Sequence, residues 1–179
     1  KKYIDYCLKT GWISSAGKLI DEFEKKLCKL TKSKYAVACV NGTSALHISL
    51  ILAGVKDNHE VIVPTITFIA PINAVRYCNA KPIFMDCDND YNIDLDKTIE
   101  FISEQTYSKN NKCYNKTTKK IISALIVVHV WGNTVDFYHL KKLCDSKNIK
   151  IIEDASESLG SKINNKKFSG TLGFCGCIS

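Results

Sequence analysis

Apolar and polar residues along this chain follow two spacings, one typical of helices and one typical of buried strands. Leu19, Phe23, Leu27 and Leu30 recur every three or four positions with charged residues between them, which predicts an amphipathic helix. Comparable patterns predict helices over residues 43–53, 69–78, 96–105 and 137–147. Short apolar, β-branched runs predict strands over residues 35–40, 60–64, 82–87, 121–130 and 149–153.

The order of these elements predicts the fold class. Strands that alternate with helices of roughly ten residues are typical of parallel β-α-β units with right-handed crossovers. The long run 121–130 predicts a central strand, because strands of a parallel sheet are buried on both faces. The helix 43–53 is apolar nearly all round, so we expect it to be buried, and the polar stretch 106–119 predicts a surface insertion. We therefore expect an α/β three-layer sandwich with a mainly parallel sheet.

Length and charge narrow the class of protein. A chain of 179 residues can form one domain that buries about 70% of its unfolded surface. The net charge of +7 comes almost wholly from lysine, whereas nucleic-acid binders cluster their charge and use arginine, so we expect no nucleic-acid partner. No apolar run reaches about 18 residues and the N-terminus lacks a signal-peptide pattern, so we expect a cytoplasmic protein with no membrane contact.

Nine cysteines and four histidines raise the question of a disulfide framework or a metal site. The cysteine count is odd, no Cys-x-x-Cys occurs, and most of the cysteines lie in apolar runs. We therefore expect free, buried thiols in a reducing compartment. The histidines show no spacing typical of metal ligands, so no metal is predicted.

The segment 149–160 carries the first indication of chemistry. Its apolar run ends on Asp154, which is followed by small residues and a glycine. A strand that ends on an acid places that acid at the carboxyl edge of the sheet, where open α/β folds bind ligands. Because an unpaired buried charge is costly, a carboxylate held there needs a cationic partner. A protonated pyridine nitrogen is one such partner.

Three other segments are expected at the same edge. Residues 41–45 join a strand to a helix, where free N–H groups and two hydroxyls can bind an anion, unless Thr43 or Ser44 merely caps the helix. Phe68 follows a strand and either stacks on a flat ligand or belongs to the core. His129 also follows a strand, and a structural role is favoured there over a role as base or ligand. Together, a phosphate site, an aromatic face and an acid match the parts of pyridoxal phosphate.

These residues lie in longer motifs that resemble a known family. The motifs are 42–47 (GTSALH), 64–70 (PTITFIA), 128–132 (VHVWG), 152–160 (IEDASESLG), 170–173 (GTLG) and 176–179 (GCIS). In this order and spacing, from about residue 11 to 179, the chain resembles the DegT/DnrJ/EryC1/StrS family of pyridoxal-phosphate nucleotide-sugar aminotransferases of fold type I. The resemblance implies pyridoxal 5′-phosphate as the cofactor.

The resemblance also implies a role for each matching residue. Thr43, Ser44 and Ser179 would hold the cofactor phosphate, and Phe68 would stack on the pyridine ring.

Two of the three acids of the 152–160 motif, Asp154 and Glu157, would be catalytic. Asp154 would pair with the ring nitrogen and keep it protonated, and Glu157 would lie near the cofactor's phenolic oxygen or the Schiff base. The lysine that binds the cofactor covalently is expected beyond Ser179. Lys162, Lys166 and Lys167 lie in a polar loop and are expected to be exposed to solvent rather than to replace it.

By this resemblance the protein would transfer an amino group from L-glutamate to a keto group of a nucleotide-linked deoxysugar, for surface glycan biosynthesis, as a homodimer. Residues 1–179 would comprise an N-terminal arm and an incomplete cofactor-binding large domain, without the C-terminal small domain, and would be inactive alone. Two alternatives remain open. One is a sugar dehydratase of the same family, which has histidine in place of the lysine, and the other is a non-catalytic α/β ligand-binding module.

Overall fold

The computed structural model describes residues 1–179, which form two compact units, Lys1–Ala38 and Cys39–Ser179. The first unit contains two helices, α1 (Lys2–Thr10) and α2 (Lys18–Thr31). Helix α2 confirms the amphipathic helix that the apolar spacing predicts, whereas α1 was not predicted. The Glu24 carboxylate, on α2, accepts a hydrogen bond at 2.8 Å from the backbone N–H of Ala38, which follows the helix.

The second unit alternates strands and helices along the chain. Its helices are α3 (Gly42–Leu52), α4 (Ile69–Tyr77), α5 (Leu95–Glu104) and α6 (Tyr138–Ser146). Its strands are β1 (Glu60–Pro64), β2 (Lys81–Met85), β3 (Thr106–Lys109), β4 (Lys112–Asn115), β5 (Ile121–Val128), β6 (Lys150–Asp154), β7 (Lys162–Ile163), β8 (Lys167–Phe168) and β9 (Cys175–Cys177). No helix combines the length and apolar character needed to cross a bilayer.

The main sheet has seven strands and is mostly parallel. Strands β2, β1, β5, β6 and β9 lie side by side in that order, and each neighbouring pair is parallel. The antiparallel hairpin β3–β4 joins the sheet at the start of β5, and β7–β8 form a separate small hairpin. The predicted α/β fold with a mainly parallel sheet is confirmed.

Alternating side chains of the central strands divide the core into two apolar clusters. Ile126 of β5 and Ile152 of β6 pack with buried residues of α3 and α4. Their strand neighbours Leu125 and Ile151 belong to the cluster with buried residues of α5 and α6. Because successive side chains of a strand point to opposite faces, this division places helices on both faces of the sheet, as a three-layer sandwich requires.

Two predictions about local structure were wrong. Residues 35–40 form no strand; the segment belongs to neither sheet, and Tyr35, Val37 and Val40 are exposed. Helix α3 is buried only on the face that carries Leu46, Ser49 and Leu50, because it packs on one side of the sheet. The outer face of α3 is also apolar but is exposed, at Ile48, Ile51 and Leu52.

The polar stretch 106–119, predicted as a surface insertion, contains the hairpin β3–β4. Its turn residues Asn110 and Asn111 both have positive φ, at 50° and 58°. Two consecutive residues with positive φ are typical of a type I′ turn, whose twist suits an antiparallel hairpin. Asn164 and Asn165, which lie between β7 and β8, also have positive φ.

The nine cysteines are free thiols, but only Cys113, Cys144 and Cys177 are buried. The expectation that most are buried is therefore wrong, because Cys39 is exposed and five others are only half-buried. Burial raises the pKa of both Cys144 and Cys177 to about 12.

Thiol labelling tests this assignment. Because the thiolate is the reactive form, Cys144 and Cys177 should resist maleimide at neutral pH in the folded protein, whereas the exposed Cys39 should react first. Mass spectrometry of peptides after timed labelling measures the order, and labelling in urea serves as the control in which all nine react. Early modification of Cys177 in the folded protein would contradict the structure.

Candidate active site

A cavity of about 450 Å³ opens where strand ends and helix starts meet. Strand β5 ends beside it at Val128, β6 ends at Asp154, and α3 begins there at Gly42. This is the carboxyl edge of the parallel strands, where open α/β sheets bind ligands. Its charged side chains are the carboxylates Asp154 and Glu157, and neither lysine nor arginine lines it.

Asp154 is the last residue of β6 and is 6% exposed. Its Oδ1 accepts hydrogen bonds from the hydroxyl of Ser156 at 2.6 Å and from the backbone N–H of Ser156 at 3.2 Å. Its other oxygen, Oδ2, makes no hydrogen bond, and no Lys, Arg or His lies within 4.0 Å of the carboxylate. A nearly buried carboxylate with one open oxygen is suited to a cationic ligand group, because an unpaired buried charge is unfavourable.

The start of α3 forms the other end of the cavity. The side chain of Asn41 caps the helix by accepting the Ser44 N–H at 2.8 Å, which leaves the N–H groups of Gly42 and Thr43 for a ligand. A Cβ added to Gly42 would lie 2.9 Å from the Cβ of Ser179. Glycine is therefore required for Ser179 to approach the helix start. A helix N-terminus with free N–H groups favours an anion such as phosphate.

One buried polar atom of the chain lacks a partner, and it lies at this cavity. The hydroxyl of Thr67 is buried without a hydrogen bond, and Thr67 lines the cavity wall. Buried polar groups without a partner are rare in folded proteins and indicate a missing ligand or water. Thr67 was not predicted as a site residue, although it belongs to the 64–70 motif.

Phe68 lies at the mouth of the cavity, directly before α4. It is 77% exposed, so the alternative that it is a core phenylalanine is wrong. An exposed ring at the edge of a cavity that holds a carboxylate can cover a flat, cationic ligand.

His129 has a structural role. It is fully buried, its Nδ1 accepts the N–H of Val135 at 3.2 Å, and its Nε2 lies 3.0 Å from Oε2 of Glu153. Since Nδ1 accepts a hydrogen bond, the proton is on Nε2 and is donated to Glu153. Both ring nitrogens are therefore used within the protein, and neither is available as a base.

Glu157 lines the cavity and fixes an unusual turn beside it. Its Oε2 accepts the backbone N–H of Trp131 at 2.6 Å, and the side chain of Asn92 accepts the N–H of Val130 at 3.2 Å. Trp131 has a φ of +51°, which is an outlier for a bulky residue. Such strained residues persist where their surroundings fix them and cluster at functional sites. Its indole lines the cavity and packs edge-on against Tyr91, with ring centroids 5.3 Å apart.

The cavity thus brings together most of the site residues predicted from the sequence, namely Thr43, Phe68, Asp154, Glu157 and Ser179. Ser44 is not among its lining residues, and its N–H is already bound by Asn41. A phosphate contact by the Ser44 hydroxyl therefore stays a prediction. Lys162, Lys166 and Lys167 are exposed, as expected.

The chain is similar in sequence to known proteins. The sequence model of the DegT/DnrJ/EryC1/StrS aminotransferase family matches residues 1–179. A GDP-perosamine synthase from Vibrio cholerae is 36% identical over 173 residues, which are 97% of this chain and 43% of that protein. The chain therefore spans less than half the length of this relative.

Solved structures show the same arrangement of elements. A DegT DnrJ EryC1 StrS aminotransferase from Brucella abortus matches with a TM-score of 0.86 and 28% identity, over 98% of this chain and 44% of that one. An E. coli GDP-4-keto-6-deoxy-D-mannose-3-dehydratase with bound hydrated PLP matches with a TM-score of 0.77 and 26% identity, over 96% and 41%. Because the family model covers every residue, the chain belongs to the DegT/DnrJ/EryC1/StrS aminotransferase family.

Proposed function

We propose that the complete protein is a pyridoxal 5′-phosphate-dependent aminotransferase that moves an amino group from L-glutamate to a keto group of a nucleotide-linked deoxysugar, for surface glycan biosynthesis. The observation that carries this proposal is the carboxylate of Asp154, nearly buried, with one oxygen open to the cavity and no cation in reach. Family membership and the similarity to a GDP-perosamine synthase support the substrate class.

The cavity has a group for each part of the cofactor. The N–H groups at the start of α3, together with Thr43 and Ser179, would hold the phosphate. The exposed ring of Phe68 would cover the pyridine ring, and Asp154 would accept a hydrogen bond from the protonated ring nitrogen. The unpartnered hydroxyl of Thr67 would gain a hydrogen bond from a ligand group. The residues present therefore fit this cofactor.

When bound, pyridoxal 5′-phosphate supplies an electron sink for the electrons of a broken C–H bond. The protein's part is electrostatic. Asp154 would stabilise positive charge on the ring nitrogen within a buried site, where charges interact more strongly than in water. Glu157, whose Oε1 makes no hydrogen bond, would accept a proton or a hydrogen bond from the cofactor's phenolic oxygen or the Schiff base. A lysine after Ser179 would bind the cofactor covalently and move the proton.

We also propose that the protein is a cytoplasmic homodimer. The family resemblance supports the homodimer, and free thiols suit the reducing environment of the cytoplasm. The exposed apolar side chains of Ile48, Ile51 and Leu52 on α3 are of the kind that a subunit interface covers.

The first test uses the complete protein and its proposed substrates. Addition of pyridoxal 5′-phosphate should produce a visible absorbance band of bound cofactor, and L-glutamate should bleach it with release of 2-oxoglutarate. A nucleotide-linked keto-deoxysugar should then restore the band and yield an amino sugar. A band that glutamate does not change would favour a ligand-binding module, and loss of a sugar hydroxyl without amine gain would favour a dehydratase.

Asp154→Asn tests the residue that carries the proposal. Asparagine fills the same space but cannot neutralise a protonated ring nitrogen, so kcat should fall by about 10²-fold or more, as on loss of a preorganised electrostatic group. Asp145→Asn is a matched control, because Asp145 is an exposed acid paired with Lys141 on α6. Steady-state kinetics measure both variants. An Asp154→Asn enzyme with wild-type kcat would refute the role of Asp154.

Gly42→Ala tests the phosphate end. The added Cβ would lie 2.9 Å from Ser179 and force the two apart. Affinity for pyridoxal 5′-phosphate should therefore fall roughly tenfold, the effect of losing about one hydrogen bond to a charged group. Fluorescence titration of the apo protein measures it, and Glu100→Ala, at an exposed position of α5 away from the cavity, is the control. Unchanged affinity would place the phosphate elsewhere.

A further inference from the structure

A second carboxylate of β6, Glu153, has no part in the proposed function. It is fully buried and accepts four hydrogen bonds. Its Oε1 accepts the backbone N–H groups of Leu172 at 2.7 Å and Gly173 at 2.6 Å. Its Oε2 accepts the N–H of Gly170 at 2.8 Å and Nε2 of His129 at 3.0 Å. One side chain thus holds the whole turn 170–173.

The surroundings of Glu153 require an acceptor at both oxygens. Backbone N–H groups can only donate, and His129 must donate from Nε2 because its Nδ1 accepts the N–H of Val135. A glutamine here would turn its NH₂ group towards donors in either orientation. Only a carboxylate satisfies all four groups.

The turn that Glu153 holds leads directly to a proposed phosphate ligand. After the turn, Phe174 donates its N–H to the carbonyl of Ile151 at 2.7 Å, and β9 pairs with β6 so that Gly176 lies opposite Glu153. Ser179 follows three residues later and lies against Gly42 at the start of α3.

The backbone is tightly packed around Gly173 and Gly176. A Cβ added to Gly173 would lie 2.7 Å from the carbonyl oxygen of Ile151, and one added to Gly176 would strike the carbonyl of Gly170. The register of β9 is therefore set by contacts of the turn, and a slip of one residue would turn each of its side chains to the opposite face of the sheet.

We propose that Glu153 is a positioning residue for the cofactor phosphate. It fixes the turn 170–173, the turn fixes the register of β9, and β9 places the Ser179 hydroxyl beside the start of α3. This inference rests on the proposed function, since the phosphate is that of pyridoxal 5′-phosphate. Strand β6 would thereby serve both ends of the cofactor, the ring nitrogen through Asp154 and the phosphate through Glu153.

Glu153→Gln in the complete protein tests this, with two ligands that differ only in the phosphate. Affinity of the apo protein for pyridoxal 5′-phosphate should fall roughly tenfold or more, as expected when buried donors lose their acceptor. Affinity for pyridoxal, which has no phosphate, should stay within about twofold of wild type, inside the usual scatter of independent sites. Ser179→Ala should show the same split, and the double variant should be no weaker than the weaker single variant.

Glu60→Gln provides the matched control. Glu60 is also a buried glutamate on a strand of the same sheet, but it begins β1, at the opposite strand end from the cavity, and binds Asn115. Glu60→Gln should change the free energy of unfolding, but it should change the affinities for pyridoxal and for pyridoxal 5′-phosphate by the same factor.

The outcomes are distinct. Equal losses for pyridoxal and pyridoxal 5′-phosphate in Glu153→Gln, or additive effects with Ser179→Ala, would overturn the inference and leave Glu153 a purely structural residue. If the wild-type protein takes up neither compound, the proposed function fails and the inference fails with it.

A measurement on the wild-type protein covers the case in which Glu153→Gln does not fold. Pyridoxal 5′-phosphate should slow amide hydrogen exchange in residues 170–179, and pyridoxal should not, because only the phosphate is expected to bind Ser179. Equal protection by both ligands, or by neither, would overturn the inference.

Discussion

The site depends on one electrostatic constraint, the carboxylate of Asp154 held at the end of a buried strand. The fold supplies hydrogen bonds to only one of its oxygens and no cation to its charge. A second carboxylate, Glu157, lines the same cavity, and neither lysine nor arginine does. A ligand must therefore bring positive charge to this end, whereas the free N–H groups of α3 favour negative charge at the other. The cavity is thus suited to a ligand with a cationic ring and an anionic tail.

Strand β6 gives this constraint its rigidity. Successive side chains of a strand point to opposite faces, so Asp154 faces the side of α3 and Glu153 the side of α6. The first acid meets the cavity, and the second is satisfied entirely by the protein. The four bonds to Glu153 stiffen the strand that carries Asp154. Hydrogen bonds within the protein thereby offset the energetic cost of burying the charge of Glu153. The charge of Asp154 has no cationic partner within the protein and is left for a ligand.

The sequence predicted elements well where a local pattern coincided with sheet burial. The run 60–64 became β1 because each of its residues is buried between neighbouring strands. The similar run 35–40 pairs with no strand of either sheet. It was predicted as a strand because an apolar pattern alone does not show whether a neighbouring strand is available for pairing. Conversely, the two strands within the predicted surface insertion 106–119 were missed, because most of their side chains are polar. The pair Asn110–Asn111 was the signal for the hairpin, through its tolerance of positive φ.

The sequence likewise predicted some residues of the site and not others. Asp154 could be placed from the sequence because it ends a buried strand, Phe68 because it lies shortly after β1, and Thr43 because it lies at a helix start. The role of Glu153 could not, since its partners Leu172 and Gly173 lie 19 and 20 residues away and their N–H groups carry no sequence signal. Alternation along β6 does require the neighbour of Asp154 to face the other side of the sheet, and a buried acid there needs donors. The two adjacent acids therefore imply two separate sets of partners, of which the structure supplies one.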